Sequence, residues 1–380
     1  MKQPRVAVIH YWFVTWRGGE KVVESILKLF PQADVYTLFY DPNVCGSYLK
    51  GHKVFTSSID LPILRDRHQQ FFPLYPMGVK SLKLLGKYDL VISSESGPCK
   101  GIEIPDGTPH LCYMHTPMRY CWGFTDDYVH TLPKWAQRFA RSAFERLRKY
   151  DVSTIENVDR YLANSQNVQG RITRYYGKES TVVYPPIALD LFDDCNMVQR
   201  PISERNTYLS FGALTPYKNI RLLVETFNEN GKPLVVIGTG SELHKLIPIA
   251  RSNIRFLGQQ PWSVVREHIL EAKALLFPGE EDFGMVPLEV MAHGVPVLAL
   301  QKGGALETVV FALGHPEQSS GMLFAEPTVA SLSKAISEFE SIQEQFDPQW
   351  IRAHARRFGE DHFQQSFKEQ VRALMGPDFV

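Results

Sequence analysis

The chain is 380 residues long, 44% hydrophobic and 22% charged, the balance of an ordinary globular protein rather than a disordered or fibrous one. Its length favours two domains over one. Lys plus Arg and Asp plus Glu each number 41, and a net charge of zero argues against any general attraction to nucleic acid and leaves membrane attraction to a local patch. The five cysteines are Cys45, Cys99, Cys112, Cys121 and Cys195, an odd number without a C-x-x-C pair. Reduced thiols are expected from that pattern, not a disulfide framework or a zinc site. No stretch approaches the roughly 18 uninterrupted apolar residues of a membrane span, and Val6–Ile9 is far too short for a signal peptide, so the expected location is the cytoplasm.

In chain order, apolar runs predict strands at Val6–His10, Asp34–Phe39, Leu90–Ser93, Leu111–Met114, Tyr161–Ala163 and Thr181–Tyr184, with helical patterns between them. The rhythm breaks at Tyr184-Pro-Pro-Ile187, and a polar stretch follows to Arg205, the best candidate for an interdomain linker. It then restarts with strands at Tyr208–Phe211, Leu234–Ile237, Ile254–Leu257, Ala274–Phe277 and Pro296–Leu300. Continuous apolar runs imply strands covered on both faces. From about Trp350 to Leu374 the pattern is helical. The predicted architecture is α/β, two doubly wound Rossmann-like domains facing a cleft.

The stretch Glu281-Asp-Phe-Gly-Met-Val-Pro-Leu-Glu289 follows a predicted strand, so it starts at the C-terminal edge of a parallel sheet, where such sheets bind ligands. Gly284 allows close backbone approach, and Pro287 suits a first helical turn. A carboxylate such as Glu281 or Glu289 accepts two hydroxyls at once, which suits a sugar or ribose diol, though a solvated loop acid and a helix N-terminal charge would look the same.

This stretch resembles the retaining glycosyltransferases of family 4, whose fold is called GT-B and whose E-x-F-G-x-x-x-x-E motif it matches residue for residue. Val290-Met-Ala-His-Gly-Val-Pro-Val-Leu298 and Gly303-Gly-Ala-Leu-Glu-Thr308 are similar to the same family. The resemblance implies that Glu281, with the backbone of Phe283 and Gly284, contacts the sugar of a nucleotide-sugar donor, and that Glu289 holds the ribose. Gly303 and Gly304 open a helix whose N–H groups and dipole suit an anion. Phe211-Gly-Ala-Leu-Thr-Pro-Tyr-Lys218-Asn219 is similar to the family's diphosphate segment, with Lys218 the matching lysine. Many members carry an arginine five residues earlier, where this chain has Ala213, so either Lys218 with the helix N-termini suffices or another cation such as Arg221 contributes. Ile237-Gly-Thr-Gly240 resembles a loop near the nucleotide base, or is a plain turn.

In the first half, His10-Tyr-Trp-Phe-Val-Thr-Trp-Arg-Gly18-Gly19-Glu20 matches the family's glycine pair close to the donor phosphates and the acceptor. His115-Thr-Pro-Met-Arg-Tyr120 resembles a subgroup that includes GDP-mannose-dependent mannosyltransferases of bacterial O-antigen and capsule synthesis. His115 matches the active-site histidine, and Arg119 either faces an anion or braces its loop. The stretch Lys134–Lys149 carries six basic residues and one acidic, a local +5, with Trp135, Phe139, Ala143 and Leu147 along one helical side. It suits either an anionic membrane surface or a core-facing stripe with solvated arginines.

The resemblance implies an acceptor-binding domain over 1–190, completed by a C-terminal helix at about 350–375, and a nucleotide-sugar-binding domain over 200–345. It implies a retaining transfer without metal or other cofactor, best matched by mannose from GDP-mannose, to a saccharide or polyprenyl-linked acceptor in cell-surface polysaccharide synthesis. His115, Lys218 and Glu281 would be its catalytic residues, and the enzyme would be cytoplasmic or peripheral at the inner face of the membrane. No Asp-x-Asp pair of the metal-dependent glycosyltransferase fold occurs in the chain. A UDP-sugar-dependent transferase, a nucleotide-sugar epimerase and a non-catalytic sugar-binding homologue are the alternatives.

Overall fold

The apolar runs that lack alternation become strands buried on both faces: all five residues of Val6–His10 and of His110–Met114 are inaccessible. A computed structural model describes residues 3–130, 132–198 and 200–380, leaving Met1, Lys2, Thr131 and Gln199 outside the described residues. The chain divides into two compact units, Met1–Pro186 with Asp361–Val380, and Ile187–Glu360.

The first unit holds strands Val6–His10 (β1), Asp34–Thr37 (β2), Val54–Thr56 (β3), Leu90–Glu95 (β4), His110–Met114 (β5), Arg160–Ala163 (β6) and Ser180–Val182 (β7). They form one parallel sheet in the order β3-β2-β1-β4-β5-β6-β7. The chain winds outward from β1 to β3, then returns to lay β4 on the other side of β1. The β1–β4 pair is therefore the switch point where loops part, the usual ligand position of such a sheet.

The second unit repeats the logic with Thr207–Phe211 (β8), Leu234–Ile237 (β9), Ile254–Phe256 (β10), Ala272–Phe277 (β11), Val297–Leu300 (β12) and Gly321–Phe324 (β13). Its parallel order is β10-β9-β8-β11-β12-β13, with the switch point between β8 and β11. β3 and β13 are absent from the sequence reading. They are three and four residues long and lie at the ends of their sheets.

The helical stretch expected from Trp350 to Leu374 is two helices. Pro348–Arg356 belongs to the second unit and starts where Asp347 accepts from the Gln349 N–H. It ends before Phe358 and Gly359, where Ile187 N–H donates to the Phe358 carbonyl at 2.9 Å. The next helix, Glu360–Met375, returns to the first unit and buries Phe363, Phe367 and Val371 with Val8, Leu27 and Tyr113. Those three side chains recur every four residues on one helical face, and each contributes about 1.5–3 kcal/mol of burial. Among the described residues no helix is long and apolar enough to cross a membrane.

Candidate functional site

In the second unit, the loops after β8 and β11 meet at the switch point. A Cβ on Gly279 would lie 2.8 Å from Lys218 Cα, so the two backbones touch and only glycine fits. That contact brings the Lys218 ammonium into an ion pair with Glu281, the two side chains 15% and 18% exposed. Lys218 Nζ also stands 5.5 Å from the centre of the Phe277 ring, at the end of β11. Asn219 then takes a left-handed turn (φ 52°) and opens the helix Ile220–Asn230. A lysine and a glutamate 63 residues apart in sequence are thus one unit in space.

The loop after β12 closes on the same place. Gly304 N–H donates to the Glu281 carbonyl at 2.9 Å. A Cβ on Gly304 would lie 2.3 Å from Phe283 Cα, and one on Gly303 would lie 2.3 Å from the Glu281 carbonyl oxygen. Gly284, at φ 89°, turns the chain into the helix Met285–Met291, which carries the largely buried Glu289. Lys218, Glu281, Phe283, Gly303 and Gly304 are therefore mutual neighbours, and Gly284 and Glu289 continue from them. Arg221 pairs instead with Glu225 one turn along its own helix, at 2.8 Å. Gly238 presses on the Gly212 carbonyl, 1.9 Å from where its Cβ would be, so the Gly-Thr-Gly turn packs loop on loop.

In the first unit, His10 ends β1 beside Ser94 of β4. His10 Nδ1 lies 3.0 Å from Ser94 Oγ, and Ser94 Oγ lies 2.7 Å from His115 Nε2. Gly19, in the first turn of the helix Gly18–Leu29, lies beside this corner. Its Cβ would stand 2.7 Å from the Tyr11 hydroxyl, 3.5 Å from His10 Cε1 and 3.7 Å from His115 Nε2. Burial, reinforced by the nearby His115, holds His10 well below the usual imidazole range. Glu20 accepts from the Arg17 N–H at 3.1 Å and the Thr15 hydroxyl at 3.2 Å, and its burial raises its pKa. Beside it opens a pocket of about 470 Å³ lined by Trp12, Arg17, Glu20, Asp66, Arg67 and His68 among others.

Sequence reasoning assigned no role to His10, Ser94 or the charges beneath them. Glu95 accepts from the N–H groups of Gly97 and Lys100, and burial pushes its pKa up to about 8. Lys100 and Asp151 form a fully buried ion pair. Trp122 Nε1 and the Tyr176 hydroxyl donate to the second oxygen of Asp151 at 2.7 and 2.8 Å. The strand-end position of Ser94 and Glu95 was the available signal, since polar residues closing a buried strand face a ligand or a loop. The Arg119 guanidinium lies 5.0 Å from the Phe124 ring centre, a contact within its own loop.

The helix Lys134–Ser153 buries Ala140, Phe144, Leu147 and Asp151. Trp135 and Phe139 are not part of that face: they are 77% and 75% exposed. The stripe read from the sequence therefore splits, because the core face is set one residue away from it. Lys134, Arg138 and Arg146 are exposed as well, whereas the Arg148 guanidinium lies over Trp122 at 5.4 Å.

Two family models match. Residues 16–191 fit the one described as Glycosyltransferase Family 4, and residues 196–357 fit Glycosyl transferases group 1. The Alpha-1,3/1,6-mannosyltransferase ALG2 of Saccharomyces cerevisiae is 25% identical over 347 residues, 77% of this chain and 67% of its own length. Its Candida glabrata counterpart is 25% identical over 366 residues, 81% of this chain and 78% of its own. Among solved structures, Anabaena HepE in complex with UDP superposes with a TM-score of 0.70 at 16% identity, covering 97% of this chain and 100% of that one. The lipopolysaccharide outer core galactosyltransferase WaaB gives 0.67 at 18% identity, over 97% and 99%. The two parallel Rossmann-like sheets, each with its switch point, are the GT-B fold. With both family models matched in order along it, the chain belongs to glycosyltransferase family 4 and is a glycosyltransferase.

Proposed function

We propose that the protein is a retaining, metal-independent mannosyltransferase that moves mannose from GDP-mannose onto a lipid-linked saccharide acceptor in the assembly of a surface or lipid-linked glycan. The observation that carries the donor site is the Lys218–Glu281 pair over the β8–β11 switch point, with Gly303 and Gly304 fixed on the Glu281–Phe283 backbone. The choice of mannose is supported by the His115-Thr-Pro-Met-Arg-Tyr string and by relatives named as mannosyltransferases. One of them, from Xenopus laevis and 27% identical over 212 residues, is named GDP-Man:Man(3)GlcNAc(2)-PP-Dol alpha-1,2-mannosyltransferase.

In this reading the second unit binds the donor: Glu289 takes the ribose hydroxyls, Glu281 and the Phe283–Gly284 backbone take the sugar, and Lys218 and the helix after Gly304 meet the diphosphate. The first unit, with Gly18, Gly19 and His115, binds the acceptor. The sugar C1–O bond to phosphate breaks while the acceptor oxygen bonds to C1 on the same face, and a leaving phosphate oxygen takes the acceptor proton. The protein supplies position and charge, and Lys218 offsets the negative charge that grows on the diphosphate.

The reading also puts the enzyme at the cytoplasmic face of an anionic membrane. Trp135 and Phe139 stand exposed among Lys134, Arg138 and Arg146, an apolar and cationic surface of the kind that lies on anionic lipid.

Turnover with a panel of GDP- and UDP-sugars, each assayed with and without EDTA, tests the proposal. Release of GDP from GDP-mannose, dependent on an acceptor and indifferent to EDTA, is the expected result. Use of UDP-sugars alone, or rescue by Mg²⁺ after chelation, would overturn it. Conversion of the nucleotide-sugar into its epimer in the absence of acceptor would point to an epimerase.

A further inference from the structure

We propose that His10 and Ser94 are positioning residues that set the tautomer of His115, so that its ring proton resides on Nδ1 and its Nε2 accepts from the Ser94 hydroxyl. This rests on His115 belonging to the site, as argued above.

Three polar groups stand in a row: His10 Nδ1, Ser94 Oγ and His115 Nε2, separated by 3.0 and 2.7 Å. A hydroxyl has one proton, so it donates to one imidazole and accepts from the other. Two directions are available. Either His10 Nδ1–H donates to Ser94, whose hydroxyl donates to His115 Nε2, or the whole row runs the other way.

The remaining nitrogen of His10 decides. Its Nε2 is buried and has no hydrogen-bond partner among the described residues. The ring is inaccessible, packed between the rings of Tyr11 and Phe13 with centroids 4.1 and 4.9 Å away. The reverse direction would require a proton on that Nε2, leaving a buried N–H with nothing to receive it. An orphaned buried donor is the rarer case in folded proteins. The forward direction leaves only a bare lone pair in an aromatic cage. A doubly protonated His10 would resolve nothing, and burial together with His115 opposes it.

The row therefore runs from His10 to His115. A Cβ on Gly19 would stand 3.5 Å from His10 Cε1 and 3.7 Å from His115 Nε2, so the row borders the turn that opens the helix Gly18–Leu29. With its proton on Nδ1, His115 meets whatever faces that nitrogen as a hydrogen-bond donor, not as a base. It orients a sugar or phosphate oxygen, and the acceptor proton leaves by another route, as front-side transfer to the leaving phosphate requires.

The test is a long-range proton–nitrogen correlation spectrum of the histidine rings in the ¹⁵N-labelled full chain, with His115 assigned by loss of its signals in His115→Gln. The expected wild-type pattern is a protonated Nδ1 and a bare Nε2 on His115. A protonated Nε2 there would overturn the proposal without any further variant. In Ser94→Ala the His115 pattern should become a mixture of tautomers, and kcat should fall on the order of tenfold, the weight of one neutral hydrogen bond, with KM for the nucleotide-sugar held. Ser94→Thr keeps the hydroxyl and should restore the wild-type pattern. An unchanged His115 pattern in Ser94→Ala would also refute it. Failure of the GDP-mannose assignment would alter the donor used in the kinetics and leave the spectra as they are.

Discussion

Gly304→Ala isolates one contact of the proposed donor loop. Gly304 has φ −64° and ψ −16°, a right-handed conformation that alanine adopts without strain. The whole effect therefore comes from the added methyl group, which would lie 2.3 Å from Phe283 Cα and oxygen and 2.5 Å from its carbonyl carbon. Carbon atoms pack at about 3.5–4.0 Å, so the Glu281–Phe283 backbone must retreat by about 1 Å or more. The retreat loses the 2.9 Å hydrogen bond from Gly304 N–H to the Glu281 carbonyl, about 0.5–1.5 kcal/mol. Overpacking adds about 1–3 kcal/mol. A total of about 2–4 kcal/mol corresponds to a Tm lowered by roughly 5–15 °C for a unit of this size. A displacement near 1 Å at the donor sugar should reduce turnover about 100-fold. Leu306→Ala is the control, since Leu306 lies on the same short helix and is 54% exposed. Calorimetric titration with nucleotide-sugar, steady-state kinetics and thermal unfolding of both variants give the answer. Wild-type affinity and turnover in Gly304→Ala would show that this loop does not hold the donor.

Lys218→Met should lower turnover about 10²–10³-fold, as loss of a charge-stabilising donor does, while lowering Tm by only a few degrees; equal losses in both would make the Lys218–Glu281 pair structural. Glu289→Ala should weaken nucleotide-sugar binding by about 1.5–3 kcal/mol in the same titration, and unchanged affinity would remove Glu289 from the ribose site. Glu95, held up to about 8, keeps in the folded chain a proton that the unfolded chain loses in the ordinary carboxylate range. Stability should therefore fall as pH rises through that window, by about 1.4 kcal/mol per pH unit from this group, and level off above it. Glu95→Gln lacks the titration, so its Tm advantage over wild type should widen from pH 5 to pH 8, and parallel profiles would contradict the assignment. The protein should sediment with anionic vesicles at 0.1 M salt and leave them at 1 M, as the Debye length shrinks from ~10 to ~3 Å. Replacing Lys134, Arg138 and Arg146 with Gln should reproduce the high-salt result, and equal binding to neutral vesicles would exclude an electrostatic contact.

The parts of this protein legible in its sequence are those written as periodicity. Long buried strands such as β1, β4, β5 and β11 appear as apolar runs because both their faces are covered. Edge strands β3 and β13 leave no such run, and the break between the two C-terminal helices depends on a tertiary contact between Ile187 and Phe358. The helix Lys134–Ser153 shows the limit of a stripe: Trp135 and Leu147 share a side by spacing, yet one is exposed and the other buried. At the site, Glu281 and Lys218 were legible separately as motif residues. Their pairing was not, because it depends on Gly279 letting two loop backbones touch. His10 and Ser94 carried no motif at all, and only the β1–β4 register sets them side by side.

The Lys218–Glu281 pair bears on how the proposed donor site divides its energy. The Lys218 ammonium is paired with the Glu281 carboxylate and largely shielded from solvent, which weakens its pull on a bare phosphate. An arriving diphosphate must share that cation with Glu281, which keeps ground-state binding modest. As the sugar–phosphate bond lengthens, charge builds on the phosphate oxygen and not on Glu281, and the balance of attraction shifts toward the leaving group. An interaction that strengthens along the reaction lowers the barrier, whereas one made in full on binding only lowers KM. The glycines around the pair serve the same end by fixing its place: Gly279, Gly303 and Gly304 each hold one loop against another at distances no side chain allows. The cation is thereby prepositioned, so little reorganisation is needed when the charge appears.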